Sequence, residues 1–122
     1  MFRYFRSIRF ALNGLFYALR TERNVQIWFG IAVLTLVFSI WMKVSKTELL
    51  IIILWMSIIG TSEYLNTAIE KLSDRITLEH DEQIKHVKDI AAGATFVASI
   101  GAIISGLIIF VPKILEKFEI HL

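Results

Sequence analysis

The run Leu49-Leu-Ile-Ile-Ile-Leu-Trp-Met-Ser-Ile-Ile-Gly-Thr-Ser62 carries no charge, and it is followed at once by Glu63-Tyr-Leu-Asn66-Thr-Ala-Ile-Glu70-Lys-Leu-Ser-Asp74. The 14 uncharged residues make about 21 Å of helix, too short for a bilayer core of about 30 Å. Continuing the helix to Ile69 gives 21 residues and a full span. It also places Glu63 inside the bilayer or at its inner edge. Glu63, Asn66, Glu70 and Asp74 stand at i, i+3, i+7 and i+11. At about 100° per residue they share one face of one helix. Ionisable groups entering a membrane are costly, and they usually line a functional path or pair with a cation.

Two further runs flank this one. Residues 24–42 and 90–112 carry no charge, 19 and 23 residues in turn. The sequence therefore predicts three membrane spans, 25–42, 49–70 and 90–111. Trp28 and Trp41 sit near the ends of the first, as interfacial aromatics do. Ser45-Lys-Thr-Glu48 has the form of a capping box opening the second. Arg75 to His86 reads as a polar loop, and Pro112, the only proline, closes the third span. Ahead of the spans, residues 1–24 read as an amphipathic helix. Phe2, Phe5, Ile8, Leu12, Leu15, Phe16 and Leu19 form an apolar stripe, with Arg3, Arg6, Arg9 and Asn13 off it. Such a helix lies in the membrane interface or covers the bundle as a lid.

Composition agrees with this reading. Of the 122 residues, 56% are apolar and 20% charged, with a mean hydropathy of +0.64. An ordinary soluble domain is more polar. The expected fold is an all-α membrane protein, a single domain over 1–122. Cysteine is absent, which excludes disulfides, Cys-ligated metal and thiol nucleophiles. The net charge of +2 and pI near 9.0 come from arginines beside a membrane segment, which fit lipid headgroups rather than nucleic acid. No secretory signal is evident, so the whole chain is expected to be kept. The N-terminal segment and second loop together hold nine Lys and Arg, against four in the first loop and tail. That places the N-terminus in the cytoplasm and the C-terminus outside a bacterial inner membrane. Ala94, Ala98, Ala102 and Gly106, stepping by four, form a small-residue seam for helix packing.

The acids permit phosphoryl transfer. That reaction needs a divalent cation held by carboxylates, positive charge on the phosphates and a group taking a proton from the attacking hydroxyl. Mg²⁺ asks for only one or two protein carboxylates, and Glu70 and Glu22 could supply them. Glu63, the deepest acid, is placed to meet a hydroxyl arriving from the membrane. There the bilayer and nearby cations act on its charge in opposite senses, the balance a base needs near neutrality. Lys88 and Asp89 stand at the mouth of the third span on the same side. His80, His86 and His121 show no metal spacing and read as solvated. Neither a P-loop nor a kinase Gly-rich loop is present. A proton relay through Glu63, as in a small transport or channel subunit, is the alternative. A scaffold resting on the small-residue seam is a third.

Glu63-Tyr-Leu-Asn66-Thr-Ala-Ile-Glu70-Lys-Leu-Ser-Asp74 resembles the signature of the prokaryotic diacylglycerol kinase family, E-x-L-N-[ST]-A-I-E-x-x-x-D. Lys88-Asp89 with Ala91-Ala92-Gly93-Ala94 resembles its second block, and Gly14-Leu15 leading to Glu22-Arg-Asn24 its N-terminal block. The resemblance covers about residues 3–110. It implies a homotrimer with sites shared between protomers, three spans and a surface helix. The implied reaction moves the γ-phosphoryl of MgATP to a membrane lipid alcohol. Glu63 would be the base, supported by Asn66, and Glu22 and Glu70 would bind Mg²⁺ with the nucleotide. Glu79, Lys88 and Asp89 would contact ATP, while Arg3 and Asn24 would line the nucleotide or lipid site. Gln26 and Trp28 stand where many members carry a basic residue and a histidine, and Glu79-His80-Asp81 departs from the common E-[YF]-H. The family phosphorylates diacylglycerol or undecaprenol. Thr21-Glu22-x-Asn24, Asn66-Thr-Ala-Ile-Glu-Lys71 and Lys88-Asp-x-Ala-Ala-Gly-Ala94 look more like the undecaprenol branch, and Asp74-Arg75-Ile76 more like the other.

Overall fold

The computed structural model describes residues 1–119; His121 of the sequence reading lies outside them. Within that range the chain is helical throughout: α1 (Phe2–Thr21), α2 (Arg23–Trp41), α3 (Lys46–Ile76) and α4 (Glu82–Lys117). The last three are long and apolar enough to cross a membrane. At about 1.5 Å per residue, the 31 residues of α3 rise about 46 Å. The helix therefore overshoots a core of about 30 Å, and its acidic half extends past the apolar run. Side chains such as Leu34, Val97 and Ile108 are about 70% exposed. Apolar surface of that extent has acyl chains as its natural solvent. The chain is a multi-pass membrane protein.

α3 is the central helix, packed by α2 on one side and α4 on the other. Two tryptophan-on-glycine contacts set the distances. The Trp28 ring of α2 lies where a Cβ on Gly60 would stand, and Trp55 of α3 does the same at Gly101 of α4. Trp28 is not an interfacial anchor, as its place in the run suggested. It turns inward, and its indole Nε1 donates to the Met56 carbonyl at 2.9 Å. Trp41 keeps the end position, with the Lys117 ammonium 4.6 Å from its ring centre.

The capping box forms as expected. The Glu48 N–H donates to Ser45 Oγ at 3.1 Å, and the Ser45 N–H donates to Glu48 Oε1 at 2.8 Å. That second bond, with Lys113 3.0 Å away, holds the Glu48 carboxyl below the usual carboxylate range. Just before it, α2 ends in a Schellman arrangement. Val44 N–H bonds Ser39 O, Lys43 N–H bonds Ile40 O, and Lys43 is left-handed at φ 57. Glycine is the usual residue there. Lys43→Gly is expected to raise stability by about 0.5–1 kcal/mol, seen as a higher unfolding temperature in micelles.

Two helix boundaries differ from the sequence expectation. The polar loop shrinks to residues 77–81, because Asp81 accepts from the N–H groups of Gln83 and Ile84 and starts α4 early. Pro112 does not end the helix; α4 continues through it to Lys117. A proline costs an interior helix one hydrogen bond, but here the following residues have outside anchors, Glu48 for Lys113 and Trp41 for Lys117. The small-residue row also divides. Ala94 is exposed, Ala98 is buried, and Ala102 and Gly106 line a cavity.

Candidate active site

The acid stripe of α3 faces the cleft between α2 and α4. Glu63 defines its centre, Gly60 and Lys71 lie about 60–80° to one side, and Asn66 and Ser73 lie about 60–80° to the other. The first pair meets α2 and the elbow before it, through Trp28 and Glu22. Asn66 and Ser73 are buried at 6% and 3% exposure.

The elbow itself is one residue long. Glu22 is extended, φ −110 and ψ 118, between α1 and α2. Lys71 donates to Glu22 Oε1 at 2.6 Å and lies 5.5 Å from the Tyr17 ring centre. Tyr64 O–H donates to the Leu15 carbonyl at 2.9 Å. Residues of α3 thus hold the end of α1 and bring Glu22 to the stripe. Across the cleft, Lys88 Nζ donates to Asp74 Oδ1 at 2.6 Å. Lys71 and Lys88 stand beyond the expected spans, and each ammonium is held above the usual lysine range by its bonded carboxylate.

Glu63 and Glu70, half-buried and about 10 Å apart along α3, have no hydrogen-bond or ion-pair partner among the described residues. Among those residues no three acids or histidines gather around one point. Two carboxylates suit Mg²⁺, which keeps waters and phosphate oxygens as its other ligands. Asn66 Oδ1 and Thr95 Oγ1 are buried with no hydrogen-bond partner among the described residues.

Alongside the apolar run, the same cleft becomes a cavity of about 510 Å³. Its walls are mainly apolar, among them Ile52, Met56 and Ile59 of α3 and Ile109 of α4, and its polar end holds Glu63 and Asn24. Phe38 and Phe110, ring centres 5.1 Å apart, stand at the far end.

Within one chain Glu63 and Asn24 line one cavity, Glu70 and Asp74 share the Glu63 face of α3, and ion pairs bring Glu22 to Lys71 and Lys88 to Asp74. The structure does not bring in the others. Asp89 is about 100° round α4 from Lys88 and accepts from Lys85 at 2.6 Å. Arg3 is 19 residues up α1 from Glu22, about 28 Å. Glu79 is exposed in the loop, as is His80, which pairs with Glu82 at 2.9 Å. Lys71 and Tyr64, which lock the elbow, are not among the site residues that the sequence points to. Their one signal was a place beside Glu70 and Glu63.

The family model described as prokaryotic diacylglycerol kinase matches residues 9–110. A Bacillus subtilis protein named undecaprenol kinase is 39% identical over 112 residues, covering 92% of this chain and 91% of its own. A Synechocystis protein named diacylglycerol kinase is 34% identical over 113 residues, covering 90% of this chain and 63% of its own. The matched segment holds the whole cleft, from Glu22 to Lys88. The chain belongs to the prokaryotic diacylglycerol kinase family and is a lipid kinase.

Proposed function

We propose that the protein transfers the γ-phosphoryl group of MgATP to the hydroxyl of a membrane lipid alcohol, undecaprenol in preference to diacylglycerol. The observation that carries this reading is the continuity of the cleft. An apolar cavity ends at an unpartnered carboxylate, and beyond it lie acids flanked by two lysines. A lipid tail in the cavity would set its hydroxyl at Glu63. There the carboxylate takes the hydroxyl proton as the oxygen attacks phosphorus. Glu70 and Glu22 would hold Mg²⁺, which when bound offsets the charge on the phosphates. Lys88 is a ready phosphate contact, since its partner Asp74 is exposed and releases it at small cost. Asn66, one turn from Glu63, would support the base through its amide N–H, since a carboxylate only accepts.

The bias of Lys and Arg supports a cytoplasmic N-terminus and nucleotide side. α1 carries Phe2, Phe5 and Ile8 exposed beside Arg3, Arg6 and Arg9, which suits a helix lying on the inner membrane surface. A homotrimer, in which a neighbouring copy could supply Asp89 and Arg3, is what membership of the family supports. The transport reading has nothing in its favour beyond Glu63 itself.

The test offers undecaprenol and diacylglycerol separately to the purified protein in lipid, with γ-labelled ATP and Mg²⁺. Label should enter extractable lipid, faster with undecaprenol, and stop when the metal is chelated. Equal turnover of a soluble alcohol would sink the idea that the acceptor comes from the bilayer.

A further inference from the structure

Asn66 Oδ1 on α3 and Thr95 Oγ1 on α4 are buried polar atoms that bond nothing among the described residues. Asn66 is 6% exposed, and an amide oxygen buried without a donor costs the fold its lost hydration. A hydroxyl on a helix commonly donates to the carbonyl one turn back. Thr21, Thr35, Ser39 and Ser57 all do so, at 2.6–2.8 Å. Thr95 does not, so its proton is uncommitted. A valine would fill the same space with no polar atom to satisfy, and it is therefore the hydroxyl that needs a role.

Helical register sets the two side chains level with each other. Glu48 of α3 and Lys113 of α4 pair at 3.0 Å. Asn66 is eighteen residues after Glu48, and Thr95 is eighteen residues before Lys113. Eighteen residues are five full turns, about 27 Å of rise. Each residue thus returns to the face of its ion-paired counterpart, at the same height along an antiparallel pair of helices. The register persists beyond them. Eight residues after Asn66 and seven before Thr95, Asp74 and Lys88 pair at 2.6 Å.

The chemistry of the amide then gives a direction. Its oxygen accepts, its nitrogen donates, and a hydroxyl can do either. The Glu63 carboxylate, one turn from Asn66, only accepts, so an Asn66 oxygen turned toward it would set acceptor against acceptor. A donor on the α4 side holds that oxygen away and leaves the nitrogen for Glu63. We infer that Thr95 is a positioning residue for the base: its hydroxyl donates to Asn66 Oδ1, directly or through one water, and so turns the Asn66 N–H groups toward Glu63. This rests on the kinase reading, in which Glu63 takes the proton of the acceptor.

The experiment compares the unaltered full chain in lipid with Thr95→Val, Thr95→Ser, Asn66→Ala and the Asn66→Ala/Thr95→Val double variant. It reads kcat, KM for ATP, unfolding temperature and the side-chain amide signals of protein labelled with ¹⁵N-asparagine. The chain has three asparagines, Asn13, Asn24 and Asn66, so the signals are few enough to assign. Thr95→Val should lower kcat about three- to tenfold, the scale of one hydrogen bond between helices. KM for ATP should hold, and the unfolding temperature should hold or rise. The Asn66 amide signals should move while those of Asn13 and Asn24 stay. Thr95→Ser, which keeps the hydroxyl, should restore both rate and signals. In the Asn66→Ala background Thr95→Val should cost nothing further. The inference is overturned if Thr95→Val keeps the full rate, if Thr95→Ser is as slow as Thr95→Val, or if the two losses multiply. A lower unfolding temperature with unmoved Asn66 signals would also overturn it and leave Thr95 a packing residue. Phosphorylation of no lipid by the unaltered protein would instead remove the kinase reading, and the amide signals would still decide whether the pair exists.

Discussion

Glu63→Gln should lower the rate of phosphoryl transfer to lipid by about 10²–10⁴-fold, the usual contribution of a positioned general base. The substitution is close to isosteric and removes only the capacity to take a proton. Because Glu63 makes no hydrogen bond or ion pair among the described residues, nothing in the fold depends on its charge. Unfolding temperature and KM for ATP should therefore stay near those of the unaltered protein while kcat falls. Glu63→Asp, which draws the carboxylate back by one methylene, should retain a measurable part of the rate. The measurement is single-turnover transfer of labelled phosphate to lipid. A Gln variant with an unchanged rate would show that the proton leaves by another route, and Glu70 would be the next acid to replace. A loss of ATP affinity with kcat intact would place Glu63 on the nucleotide instead of the acceptor.

The acid stripe was legible because helical phase is a property of sequence alone. Residues spaced by three and four share a face whatever surrounds them, so Glu63, Glu70 and Asp74 could be grouped before any coordinates. The capping box at Ser45 and Glu48 was legible for the same reason, being local. What one helix does to another was not. Trp28 looked like an interfacial aromatic because it stands near the start of an apolar run. Its inward turn depends on Gly60 lying opposite, 32 residues later in the chain. The Lys71–Glu22 bond and the cavity likewise exist only once α2, α3 and α4 are set side by side. Pro112 misled because a proline usually ends a helix in isolation, and its tolerance here comes from Glu48 and Trp41, both distant in sequence. Asp89 and Arg3 were assigned through resemblance, and a single chain's phase and reach keep them from Glu63.

Gly60→Val should destabilise the protein by about 2–4 kcal/mol. The ring in the way is rigid and fixed at both edges. Trp28 donates to Met56 O at 2.9 Å and packs edge-on against Tyr64, centres 6.1 Å apart. Making room means moving the indole. Overpacking of this kind costs about 1–3 kcal/mol, and losing the indole bond leaves a part-buried donor unmade at about 1 kcal/mol or more. Displacing Trp28 also presses on Tyr64, whose hydroxyl ties α3 to Leu15 of α1. Thermal unfolding in micelles should show the loss, and limited proteolysis near residues 15–22 should show the elbow loosening. Gly30→Val supplies the contrast, since its added atoms meet open space. Combining Gly60→Ala with Trp28→Phe separates the causes. If the clash with the indole is what matters, the alanine costs less in the phenylalanine background, and the two changes are non-additive. If Gly60→Ala is no worse than Gly30→Ala, the ring does not set the α2–α3 distance, and the route from Trp28 through Tyr64 to the Glu22 elbow has no mechanical basis.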